Sequence, residues 1–343
     1  MNMFNPKYTI TNTLATNMRK VGEIIGELNG KVLSSTVLMN MEKEARALSA
    51  HSSTQIEGNP IPLTDVKKLI KSSPKHIRDT QLEVLNYNKA MIMLDEQIKA
   101  SKISKLSNDF ICKIQGIVID GLISESHKGK YRTEPVFVND PIKRVSVYLP
   151  PDAKDVEPLM SQLVNFINEK KDEIDPLILA GLFHKQSVII HPFIDGNGRT
   201  TRLITKTLLA ELGINTFPLF SFENYYNNNV TKYFQKVGVF GNYYDISKTI
   251  DFTKWLEYFT DGIIDELLRV KAQFPQYQER LESHHQQILE YIKKHGSITA
   301  REYATITDRA KASRTNDFNR LIDLGLIVSV GVGKATYYTL KND

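Results

Sequence analysis

The sequence predicts a mainly α fold, and three observations carry that reading. Thr13 to Leu28, Arg78 to Lys99 and Asp155 to Glu169 repeat apolar residues at helical spacing. Pro176 to Ile190 is an apolar run of helical length, closed by Pro192, which cannot donate the next backbone hydrogen bond. β-prone runs are short and confined to two places, one in the middle of the chain and one at its end.

Taken in order, Thr13–Leu28 is the first predicted helix, and Leu38–Gln55 the second, with Gly58 and Pro60 as stop signals. Arg78–Lys99 follows. Gly129 to Val138 and Val145 to Tyr148 flank the turn cluster Asn139-Asp140-Pro141, which predicts a hairpin. Helices Asp155–Glu169, Pro176–Ile190 and Arg199–Leu212 come next, the last stopping at Gly213. A shorter helix carries Tyr233 to Val237. The tail reads as three helices, His284–His295, Thr299–Thr305 and Ala310–Leu324, closing on Gly296 and Gly325. Two β-prone runs, 326–330 and 335–340, then surround Gly331-Val332-Gly333-Lys334. Pro150-Pro151 and Phe274-Pro275 are candidate junctions.

At 343 residues the chain exceeds the usual single core. We expect a helical region over 1–100, a core over 101–275 and a small domain over 283–343. A net charge of +5 on this length implies no dedicated nucleic-acid or membrane partner. The lone Cys112 excludes an intrachain disulfide and fits a reducing compartment. With no signal-peptide pattern and no apolar stretch long enough to span a bilayer, the expected location is cytoplasmic.

The densest chemistry lies in His191-Pro192-Phe193-Ile194-Asp195-Gly196-Asn197-Gly198-Arg199-Thr200-Thr201-Arg202. His191 ends one helix and Arg199 opens the next. Between them Gly196-Asn197-Gly198 presents unobstructed amides where a helix N-terminus exposes unpaired N–H groups, a geometry that binds anions. Arg199 and Arg202, three apart, share a helix face, and their planar forks suit phosphate oxygens. Asp195 beside phosphates would repel them unless it held a divalent cation, which implies Mg2+. His191 is the group whose ordinary pKa lies near neutrality, so it is the natural general base, and activity should fall on acidification through the histidine range. No cysteine lies in the run and both threonines fall inside a helix. The attacking hydroxyl therefore belongs to a substrate, which makes the chain a transferase.

At these residues the chain resembles Fic-domain proteins, matching His-Pro-Phe-x-Asp/Glu-Gly-Asn-Gly-Arg-x-x-Arg at every fixed position. The resemblance implies a Fic-type helical domain that moves AMP from ATP to a Ser, Thr or Tyr hydroxyl of a target protein, or of the chain itself. It implies that His191 deprotonates the acceptor, Asp195 holds Mg2+, the amides of Gly196, Asn197 and Gly198 cradle the phosphates, and Arg199 and Arg202 bind the outer ones. The phosphotransferring branch of that superfamily carries Lys where Gly198 stands. His184, seven residues before His191, reads as a packed or hydrogen-bonded histidine rather than a metal ligand.

Upstream, Ser53-Thr54-Gln55-Ile56-Glu57-Gly58-Asn59-Pro60 sets Glu57 at a helix C-terminus, where the dipole disfavours an anion and a cationic partner would resolve the conflict. Ser53, Glu57 and Gly58 are similar to the Fic inhibitory motif. The resemblance pairs that glutamate with Arg202, blocking the seat of the γ-phosphate. It also makes the hairpin at 129–148 a flap that holds a target segment by strand addition, which tolerates many sequences. For adenine, the resemblance points to an aromatic and an aliphatic residue on the helix after the motif, and Tyr233 and Val237 stand one turn apart there.

The tail resembles a winged helix. It has nine Lys/Arg against six Asp/Glu from Ser283 onward, with Arg309, Lys311, Arg314 and Arg320 around its third helix. Such a module binds DNA or protein, and the charge excess is too small to favour DNA. Removal of AMP at the same site and a nucleotide-sensing regulator are the alternative functions. Assembly as a homodimer stays open.

Overall fold

The computed structural model describes residues 4–29, 35–72, 77–100, 105–139, 146–211, 219–277, 281–324, 326–331 and 333–341. Asp140 and Pro141 of the turn cluster, and the expected stops at Gly213 and Gly325, lie outside them. The chain divides into two compact units, one comprising Met1–Gly26 with Glu44–Arg269, the other Glu27–Lys43 with Val270–Asp343.

The chain runs through α1 (Asn12–Asn29), α2 (Ser35–Ile56), α3 (Leu63–Lys71), α4 (Asp79–Lys99) and α5 (Asn108–Val118). It continues with β1 (Val138–Asn139), β2 (Ser146–Leu149), α6 (Ala153–Lys170), α7 (Pro176–Ile190) and α8 (Asn197–Glu211). Next come α9 (Phe222–Asn228), α10 (Val230–Val237), β3 (Gly241–Asn242), α11 (Tyr243–Ile246) and α12 (Thr253–Tyr277).

The first unit is built around α7, whose residues are buried almost without exception, as an unbroken apolar run requires. Asp175 caps it by accepting from the Leu177 N–H (2.9 Å), with Pro176 at the first helical position. Helices α6 and α8 pack on α7, and α4 and α5 pack on α8. Gly181 lets α12 approach closely: a side-chain carbon there would meet Leu256 at 2.6 Å, and Trp255 donates to the Gly181 carbonyl (2.8 Å). β1 pairs antiparallel with β2, and β2 pairs in parallel with β3, in register Tyr148 to Gly241.

The second unit contains α13 (Ser283–His295), β4 (Ile298–Thr299), α14 (Ala300–Ile306), α15 (Lys311–Asp323), β5 (Ile327–Val330) and β6 (Tyr337–Leu340). The strands form one antiparallel sheet in the order β4-β6-β5. Its core gathers Ile288, Ile292, Ile298, Tyr303, Phe318, Leu321 and Ile327, with Phe318 stacked on Tyr338 at 3.9 Å. Thr299 and Glu302 form a capping box that starts α14. On α15, Asp317 is buried and receives Arg309 through Nε (2.8 Å) and Nη2 (3.1 Å). Among the described residues no helix is long and apolar enough to cross a membrane.

Candidate active site

The site is the junction of α7 and α8. His191 is the C-cap of α7 and is the one described non-glycine residue with a left-handed backbone (φ 50°, ψ 61°). Its N–H still reaches the Ser187 carbonyl (3.0 Å). The loop that follows is braced by Asn197, whose amide donates to the Phe193 carbonyl (2.8 Å) while its Oδ1 accepts from the Phe193 N–H (2.9 Å). That brace starts α8 at Asn197, two residues before the position expected at Arg199. Gly196 has φ +80°, and a side-chain carbon there would lie 2.8 Å from Ile119. Here glycine is required on both counts.

Burial pushes the His191 imidazole down to about 4, with Arg132 lowering it further while the Val188 carbonyl, Glu57 and Asp195 pull the other way. Its Nδ1 is buried without a hydrogen-bond partner. The expected acid inflection therefore moves from the ordinary histidine range to about pH 4. Asp195 Oδ1 accepts from the Gly196 N–H (2.6 Å) and from Arg199 Nη2 (2.9 Å), and the side chain is 47% exposed.

Both arginines of the run are buried and engaged. Arg202 is fully enclosed: Nε donates to Ser53 Oγ (2.8 Å), and Nη2 to the Ser53 carbonyl (2.9 Å) and Glu57 Oε1 (2.7 Å). Burial works against its charge, but Glu57, Tyr233 and Tyr87 together outweigh this and hold its pKa above the usual arginine value. The Glu57 carboxylate also lies on the Gly198 backbone, since a side-chain carbon at Gly198 would stand 2.2 Å from Glu57 Oε1. The protein's own anion thus sits on the N-terminal turn of α8. Two guanidinium nitrogens, Arg202 Nη1 and Arg199 Nε, are buried with no partner. Unpaired donors of this kind are costly unless an acceptor arrives.

Several residues that complete the site were not visible in the sequence. Glu83 on α4 pairs with Arg199 Nη1 and also accepts from Asn59 Nδ2 (2.7 Å), tying the turn after α2 to α8. Gln115 on α5 donates to the Asp195 carbonyl (3.1 Å) and accepts from the Gly129 N–H (2.7 Å). Arg132 hydrogen-bonds the His191 carbonyl through Nε (2.9 Å). None of these carries a local signal, because each partner is remote in sequence.

Tyr233 and Val237 both lie on α10. Both are 1% exposed, and Tyr233 stacks on Tyr226 at 4.5 Å and hydrogen-bonds His184 Nε2 (3.1 Å). They belong to the aromatic core rather than to the wall of an open pocket. The four-residue apolar spacing that selected them is equally that of packing. His184 is a hydrogen-bonded core histidine, its Nδ1 facing Thr205 Oγ1 at 3.1 Å.

Residues 105–209 match the model of the Fic/DOC family. That stretch is similar to a Fic domain. It is 31% identical over 183 residues to a protein adenylyltransferase Fic of Nematostella vectensis, covering 50% of this chain and 39% of that protein. It is 27% identical over 201 residues to protein adenylyltransferase fic-1 of Caenorhabditis elegans, covering 57% and 38%. The chain thus spans less than two fifths of the length of these relatives. Among solved structures, a Fic family protein from Desulfovibrio desulfuricans G20 superposes with a TM-score of 0.66 over 99% of both chains at 19% identity. Fic-1 (aa134–508) from C. elegans gives 0.61 over 77% of this chain and 73% of that one, at 21%. These likenesses establish the helical Fic fold.

Proposed function

We propose that this chain is an autoinhibited protein adenylyltransferase. The observation that carries the reading is the Glu57 carboxylate, seated on Gly198 and Arg202 where a helix N-terminus and a buried guanidinium offer an anion site. The orphaned Arg202 Nη1 and Arg199 Nε support phosphate as the intended occupant. When a target hydroxyl attacks the α-phosphorus of ATP, a P–O bond to the target forms and the bond to pyrophosphate breaks. His191, held neutral by burial, takes the hydroxyl proton. The α8 N-terminus and the two arginines neutralise phosphate charge. A half-exposed carboxylate with one oxygen already fixed suits a hard divalent cation, so Asp195 would hold Mg2+, which supplies further neutralisation on the phosphates.

The target segment adds as a strand along β1, which is an edge of its sheet among the described residues. The helix-and-sheet order of the second unit supports a winged-helix module. Protein is the favoured partner of that module, because Arg309 is engaged by Asp317 and Arg314 by the Arg309 carbonyl (2.6 Å). The free thiol of Cys112 supports a reducing, cytoplasmic setting. The test is the mass of acceptor proteins after incubation with ATP and Mg2+ and the Glu57→Gly variant. A gain of one AMP matched by pyrophosphate, both absent when His191→Ala is added, is the expected result. Phosphate transfer instead, or no gain on any protein while ATP still binds, would overturn the assignment.

A further inference from the structure

One buried guanidinium holds both the proposed base and the root of the proposed flap. Arg132, 2% exposed, lies between Gly129 and β1. Its Nε donates to the His191 carbonyl (2.9 Å), its Nη1 to the Glu134 carbonyl (3.0 Å), and its Nη2 to the Pro151 carbonyl and, more weakly, to that of Ile190 (3.5 Å). Its own N–H donates to the Pro192 carbonyl (2.9 Å). Tyr148 on β2 adds its hydroxyl to the Ile189 carbonyl (2.9 Å). Among the described residues, no carboxylate pairs with Arg132.

The last carbonyls of a helix lack intrahelical partners, and at the end of α7 Arg132 meets those of Ile190 and His191 while Tyr148 meets that of Ile189. The left-handed backbone of His191 is one that a non-glycine residue keeps only when its surroundings over-determine it. A planar fork with donors in fixed directions can do that, whereas a single ammonium cannot. The remaining arms grip Glu134, ahead of β1, and Pro151, just after β2, so the hairpin's two ends are fixed by the same plane.

We infer that Arg132 is a positioning residue that sets the His191 ring against the β1 edge, aligning base and acceptor strand through one side chain. The inference rests on the adenylyltransferase reading. Arg132 also brings an unpaired positive charge toward the imidazole, which favours the neutral ring, while Glu57 and Asp195 act in the opposite sense.

The test compares Arg132→Lys and Arg132→Met in the Glu57→Gly background. Transfer, followed as pyrophosphate release, should fall about 100-fold in kcat for both, the cost of a misplaced reacting group. KM for ATP should stay within about twofold, because the Gly198 and Arg202 site is untouched. In parallel, the His191 ring is titrated by NMR in nucleotide-free protein and assigned with His191→Ala. Its pKa should rise in Arg132→Met, which loses the charge, and stay put in Arg132→Lys, which keeps it. Full kcat in Arg132→Lys, or an unmoved titration in folded Arg132→Met, would overturn the inference. Should Arg132→Met not fold, the Lys variant decides by kcat alone. If Glu57→Gly itself releases no pyrophosphate, the functional reading fails and the titration still decides whether Arg132 controls His191.

Discussion

Arg202 and His191 are buried ionisable side chains whose state is set by burial acting with their neighbours. For His191 the sign follows from burial, which opposes the charged ring and pushes its pKa down to about 4. A base must be neutral, so kcat/KM should be level in this group from pH 5 to 8 and fall about tenfold per unit below pH 4. An inflection between pH 6 and 7 that coincides with the NMR titration of the His191 ring would contradict the burial account. Glu83 leads to a second expectation. Its removal leaves Arg199 buried with Asp195 as its remaining charge partner among the described residues, so Glu83→Ala should cost about 2 kcal/mol in urea unfolding, and Glu83→Gln less. The twelve residues from His191 to Arg202 were legible because helix end, glycine loop and helix start are local events written in adjacent letters. Glu83 was not, since it stands 116 positions from Arg199. The role of Tyr233 and Val237 is not legible from spacing, because a one-turn apolar spacing looks the same in a pocket wall and in a core.

Between elements, α2 and α8 are joined by a polar ladder. Ser49, Ser53 and Glu57 succeed one another at four-residue steps, facing Arg202 and Lys206 at the same spacing. Lys206 Nζ donates to Ser49 Oγ (2.8 Å) and lies 3.6 Å from Glu223, with both charged side chains fully buried. Tyr87 completes the set by donating to Glu223 Oε1 (2.7 Å). Lys206→Met should therefore cost about 3–5 kcal/mol by stranding the Glu223 charge. The double variant with Glu223→Leu should recover most of that loss, and chemical denaturation of the pair measures it. Glu57, past the last residue of α2 and 30% exposed, is the rung able to swing into solvent. The helices of this ladder were legible from periodicity and stop signals. The two-residue strands β3 and β4 were not, because so short a strand has no period, and only its partners define it.

For the whole molecule, two units with separate cores match a chain longer than one core comfortably fills. The second unit's basic excess is small and partly engaged internally, so fluorescence anisotropy should show no saturable binding of duplex DNA at about 0.15 M salt. Tight binding lost on raising the salt would favour the regulator reading instead. The central claim is that Glu57 holds an adenylyltransferase shut from within its own anion site. The most direct measurement is the initial rate of label transfer from α-labelled ATP by Glu57→Gly against the native chain, with Glu57→Gly/His191→Ala as control. The account predicts a gain on the order of 10–100-fold that the added His191 substitution abolishes. Equal rates in Glu57→Gly and the native chain would contradict it.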